Sequence, residues 1–166
     1  RVWFGIGGHV YENVQWQIYW DITDNRNALL DTFLAFPDVP YAGSLKVGRF
    51  QEPFSLEEMT ANANVQFLER ALPNALVPSY NTGFMALNDI ELLDQRLSWQ
   101  LSITRDTDSA GNGADDGGMN ITGRLTGLPW YKDDGRRLFH VGASFSHRNP
   151  DGIVRYRSRP EATLAP

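Results

Sequence analysis

The side chains with the most chemistry to offer in this chain are basic: Lys46, Arg49, Arg70, Arg96, Arg124, Arg148, Arg155, Arg157 and Arg159. A guanidinium presents a planar fork that matches phosphate or carboxylate in two parallel hydrogen bonds, and an ammonium acts as a compact point charge. Both hold anions without making or breaking covalent bonds. Arg155, Arg157 and Arg159 recur at every second residue, which puts all three on one side of an extended segment. Such a row suits anion attraction; a solvated loop carrying scattered arginines is the alternative. Arg70, next to Glu69, can offer its fork to a phosphate or tie its segment down through a carboxylate. The same two readings hold for Arg49.

Other chemistries have weaker support. Glu57 and Glu58, with Glu52 and Glu69 nearby, invite an acid–base reading. Adjacent residues on a helix, however, point about 100° apart and are poorly placed to flank one bond. Ser55 followed by Glu58 fits a capping box instead, a hydroxyl capping the helix and a glutamate reciprocating. His9, His140 and His147 stand alone, without the spacing of metal ligands. The absence of cysteine removes disulfides and thiolate sites. Neither an enzyme nor a metal or cofactor protein is expected.

The chain carries 20 acidic against 15 basic residues, a net charge of −5, which argues against nucleic-acid binding. No apolar run reaches the length of a membrane helix, and no signal segment opens the chain. Arg1 begins inside a strand pattern without a methionine, and the sequence stops in a proline-flanked stretch. The expectation is a fragment of a longer protein, whose other parts include a signal peptide and further strands.

What must position these side chains is β-structure. Val2, Phe4 and Ile6 alternate with Trp3, Gly5 and Gly7; Trp16, Ile18, Trp20 and Ile22 alternate with Gln15, Gln17, Tyr19 and Asp21. The same period of two runs through Leu97–Thr104, Asn120–Thr126 and Phe139–Ser146. With the less regular runs 29–36, 44–50 and 79–90, the pattern predicts about eight strands, several of the roughly 9–11 residues that cross a bilayer obliquely. Links near 12–14, 37–43, 91–95 and 129–136 fall at one end. The longer 23–28, 51–78, 106–118 and 149 onward fall at the other, as in outer-membrane barrels. Trp16, Trp20, Trp130 and Tyr131 sit near strand ends, where an interfacial girdle would place them.

The insertion at 51–78, roughly 28 residues punctuated by Pro53, Pro73 and Pro78, is long enough to require a function. Its wording is familiar. KVGRFQEPFSLEE (46–58) followed by FLERALPNALVP (67–78) resembles the third-loop signature of the phosphate-selective porin O and P family. ITRD (103–106), ITGRLT (121–126), Pro129-Trp130, LFHVGASFSHR (138–148) and RYRSRPE (155–161) resemble that family's middle strands in order and spacing. The likeness covers about three quarters of the chain, and Arg1 to Ala28 fit only as generic porin hairpins.

The resemblance implies an all-β, antiparallel, up-and-down transmembrane barrel of about sixteen strands. This fragment supplies about half, with 1–166 belonging to one barrel and 51–78 forming a loop, containing short helices, that folds in and constricts the pore. It further implies a homotrimer in the Gram-negative outer membrane, surrounded by lipid bilayer and passing small anions passively, phosphate or polyphosphate among them. In that frame, if Leu45 and Val47 face lipid, Lys46 faces the lumen, because charge on the lipid face costs roughly 2–4 kcal/mol at mid-bilayer; a strand-end lysine solvated at the rim is the alternative. Arg96 and Arg124 share their strand faces with Ser, Thr and Gln and with Arg148 form a basic wall, unless they pair with Asp21 or Asp31. The acidic net charge departs from what an anion-selective member should show and leaves a general, non-selective porin open. A soluble β-rich carbohydrate-binding module, stacking Trp3, Trp16, Trp20 and Trp99 on sugars, is the alternative from a different class. It would hide Leu97, Leu101, Phe139 and Phe145 in a core.

Overall fold

The computed structural model describes residues 2–11, 13–23, 28–67, 70–90, 94–113 and 118–150. The strands are β1 (Trp3–Val10), β2 (Val14–Asp21), β3 (Ala28–Val39), β4 (Gly43–Gln51), β5 (Tyr80–Asp89), β6 (Leu97–Arg105), β7 (Met119–Lys132) and β8 (Arg137–His147). They form one eight-stranded sheet in which every strand pairs antiparallel with its sequence neighbours, in the order β1 to β8. The fold is an all-β, up-and-down meander, as the alternation predicts. No helix among the described residues is long and apolar enough to cross a membrane; β3 to β8 run from nine to fourteen residues, enough to cross as tilted strands.

Register sorts the side chains. One row runs Gln15, Ala35, Lys46, Met85, Ser102, Thr122 and Ser146 across seven strands. The row one residue away reads Trp16, Leu34, Val47, Phe84, Ile103, Ile121 and His147. Because side chains alternate between faces, the first row belongs to a polar face and the second to an apolar one. Their exposure inverts that of a water-soluble domain. Phe84 is 58% exposed, Phe139 59% and Phe145 57%, whereas Ser102 and Thr122 are fully covered. Leu101 is exposed with them. That is the opposite of the buried core a soluble binding module would build around these residues, and it suits a surface solvated by lipid.

Two strands run further than expected. β3 continues past 36 to Val39, through Pro37, and β7 continues to Lys132, through Pro129, so the expected 129–136 link shrinks to a turn at 133–136. In both cases the ladder shifts register around the proline, between Phe36 and Val39 and between Gly127 and Trp130. Proline has no N–H to give, and a bulge removes the need for one. The longer connections 52–79 and 106–118 lie at one end and the short turns at the other. Trp20, stacked with Phe4 at 6.3 Å between ring centroids, lies toward the loop end. Trp16, Trp130 and Tyr131 lie toward the turns.

Candidate functional site

The segment between β4 and β5 leaves the sheet at Glu52, whose carboxylate is fully buried. Alternation has already aimed Thr104 of β6 and Thr122 of β7 at the polar face, and both hydroxyls donate to that carboxylate, at 3.0 and 2.5 Å. Asn81 Nδ2 of β5 donates at 2.7 Å and Arg148 Nη1, beyond β8, at 3.3 Å. The Asp106 carboxylate completes the cluster, accepting from Asn81 at 3.1 Å, from Asn120 at 3.0 Å and from Arg148 Nη2. A carboxylate taken out of water persists only when hydrogen-bonded and paired. Both conditions are met here by three different strands and by Arg148, the residue following a fourth.

A second buried carboxylate organises the segment internally. The helix α1 (Leu56–Met59) starts at Ser55, whose hydroxyl accepts from the Glu58 N–H at 3.5 Å. The other half of the expected capping box is missing. The Glu58 carboxylate turns inward and accepts from Asn74 Nδ2 at 2.5 Å, Gln51 Nε2 at 2.8 Å, Ser79 Oγ at 2.9 Å and Arg70 Nη1 at 3.1 Å. Arg70 also donates to the Thr60 carbonyl at 2.8 Å. A charge-assisted pair inside the segment outweighs a single cap on an exposed helix end. Glu57 instead accepts from the Ala71 N–H on the exposed side. The two glutamates therefore address different partners and present no shared reaction point.

The remaining expected cations separate into distinct groups. Arg124 lies on the polar face, in register with Gln100 and Ser144. Its Nη1 donates to the Ser55 carbonyl at 3.0 Å, and among the described residues no carboxylate pairs with it. It lines a cavity of about 270 Å³ together with Leu56, His140 and Ser144. Lys46, on the same face, sits 4.1 Å over the Phe33 ring and within electrostatic reach of Asp31, so Lys46, and not Arg96 or Arg124, accompanies that aspartate. A second cavity of about 470 Å³ lies between the segment and β1–β3, lined by Trp3, Asp21, Asp31, Arg70 and Tyr80. The segment thus has a cationic hollow on the β7–β8 side and a carboxylate-rich one on the β1–β3 side.

Arg148 and Arg70 are held by Glu52 and Glu58. Arg49 is in register with Thr32 and Thr82, on the face of Val47. Its buried guanidinium donates to the Leu29 carbonyl at 2.7 Å and to the Thr107 hydroxyl, binding the 106–113 loop to the sheet. Arg96 precedes β6 at the turn end, paired with the exposed Asp94 at 3.3 Å and 5.5 Å from the Tyr131 ring. Arg155, Arg157 and Arg159 lie outside the described residues. Sequence reasoning weighed Glu52 only as a neighbour in an acid–base reading, and passed over Asp106 and Asn81. The available signal was a Glu-Pro pair closing a strand, with Thr and Asn at alternate positions of the strands that follow.

The model of the family described as phosphate-selective porin O and P matches residues 1–165. The chain belongs to that family. Porin O of Pseudomonas aeruginosa is 27% identical over 159 residues, which is 91% of this chain and 35% of the relative. An uncharacterized protein of Caulobacter vibrioides is 28% identical over 171 residues, 96% of this chain and 33% of the relative. The chain spans about a third of the length of the curated relatives it matches. As a porin O and P member it is an outer-membrane protein of the Gram-negative type, of a phosphate-selective porin family and not of an enzyme family. The exposed aliphatic face and covered polar face are the arrangement such a protein needs.

Proposed function

We propose that the whole protein carrying this chain is a passive outer-membrane channel for small anions of the phosphate class, polyphosphate included, and assembles as a homotrimer. Residues 1–166 form part of one barrel wall, and 51–78 is the infolded loop that constricts the pore. The observation that carries this reading is the state of Arg124. It is a guanidinium on the polar face beside the loop, anchored only by a carbonyl, with no carboxylate pairing it among the described residues. A wall charge left uncompensated in a narrow, low-dielectric passage raises the local concentration of the opposite ion. Lys46 adds to it, moderated by Asp31. Arg49, Arg70, Arg96 and Arg148 contribute less, because each is already engaged.

That engagement, together with the net charge of −5, favours a general porin as the second reading. Reversal potentials of the whole protein in planar bilayers decide between them. Under a potassium chloride gradient the channel is expected to prefer chloride, and added phosphate is expected to reduce the chloride current by occupying the path. Equal permeability to potassium and chloride, with no effect of phosphate, would leave the general porin. Deleting 61–77 is expected to raise conductance, and an unchanged conductance would refute the constriction.

A further inference from the structure

We infer that Glu52 is a positioning residue of the channel, pinning the root of the 52–79 segment to the wall while setting the charge of the wall beneath it. The inference rests on the channel reading. Its geometric basis is the reach of one side chain. The Glu52 carboxylate gathers donors 29, 52, 70 and 96 residues away, on Asn81, Thr104, Thr122 and Arg148. These come from β5, β6, β7 and the residue following β8, so one carboxylate ties together three successive strands and the end of a fourth. Pro53 follows directly and is itself fully buried, so the backbone turns away from the sheet at the point where the side chain is held.

The charge of this cluster is informative. Glu52 and Asp106 together face the single guanidinium of Arg148, leaving the cluster one unit negative. A negative cluster on the wall of an anion channel works against attraction of the permeant ion. Its presence is accounted for by what the carboxylate does mechanically. Threonine hydroxyls and an asparagine amide require an acceptor, and only a carboxylate offers enough lone pairs for all of them and for Arg148. A glutamine would keep the shape but present an NH₂ where hydroxyls need an acceptor. The segment is then held by Glu52 at its root and by Glu58 within, and these two carboxylates consume Arg148 and Arg70.

The two roles separate experimentally in the whole protein, by comparing E52Q, R148M and the double variant in planar bilayers at low salt. Selectivity should follow cluster charge. E52Q makes it neutral and raises the chloride-to-potassium permeability ratio by about threefold at 10 mM salt, since one unit charge about 10 Å away across water shifts anion and cation by about twofold each in opposite directions before screening. R148M makes it more negative and lowers the ratio, and the double variant returns to the wild-type value. Conductance and open-channel noise should follow the pin, rising in E52Q and remaining raised in the double variant. Where E52Q fails to insert, T104V/T122V removes two donors and no charge, and is expected to raise noise at an unchanged ratio. Wild-type noise and conductance in E52Q, or in T104V/T122V, would overturn the pin. Equal permeability ratios in E52Q and the double variant would overturn the charge role. A wild-type protein that forms no channel would refute the functional reading instead.

Discussion

Replacing Arg124 by glutamine isolates one wall charge with little structural cost. The side chain gives a hydrogen bond to the Ser55 carbonyl and has no carboxylate counterpart among the described residues, so its removal strands no buried charge. An anion passing about 10 Å from the guanidinium in a water-filled path gains about 0.4 kcal/mol, and a cation loses as much. Losing the charge therefore shifts the anion-to-cation preference by about 0.8 kcal/mol before screening, a factor of about four. At 10 mM salt, with a Debye length near 30 Å, about threefold should survive; at 0.1 M, with a length near 10 Å, less than twofold. The assay is the reversal potential of the whole protein across a bilayer under a salt gradient at both concentrations, with conductance recorded alongside. The expected result is a falling chloride-to-potassium ratio, larger at low salt, with conductance nearly unchanged. A ratio identical to wild type at 10 mM salt would show that Arg124 does not face the path. A large change that is independent of salt would show that the substitution acts through structure.

Arg70 is expected to behave in the opposite way: R70M leaves the buried Glu58 carboxylate without its guanidinium, a loss of about 3 kcal/mol that loosens the loop, so conductance noise rises while ion preference stays put. Protease resistance of the 52–79 segment checks this independently. Gly48 has φ of +133°, and a Cβ there would collide with the Thr32 carbonyl oxygen of the neighbouring strand. G48A should therefore cost about 1–3 kcal/mol, read as a lower midpoint in urea unfolding, and an unshifted midpoint would mean the backbone relaxes freely. Asp108 lies in the exposed 106–113 loop, where the Asn112 N–H above all, with the Asn112 side chain and the Ala110 N–H, holds its carboxylate below the usual aspartate range. A depressed folded-state pKa means that this support is complete above the unfolded value and is lost as pH falls through the lowered one. The Asn112 amide resonance should titrate there and stop doing so in D108N; a transition at the ordinary aspartate value would contradict the hydrogen bonds.

The strands and their two faces are written in the order of residue types, because alternation is local. Leu97, Trp99, Leu101 and Ile103 against Ser98, Gln100, Ser102 and Thr104 state which residues share a face, and antiparallel pairing of neighbours preserves that sorting across the sheet. The loop wording 46–58 and 67–78 likewise points to the family from residue types alone. The extra lengths of β3 and β7 are not legible there, since Pro37 and Pro129 read as breaks until paired with bulges. Nor are the charge partners. Composition supplies both signs of charge, but which arginine meets which carboxylate depends on register and on the route of the 52–79 segment. Arg148 finds Glu52 across 96 residues of sequence, and Arg124 is left with a carbonyl only because the segment's helix starts above it. Residue type fixes the sign of a charge, whereas its availability to an ion depends on desolvation and pairing, which exist only once distant parts of the chain are brought together.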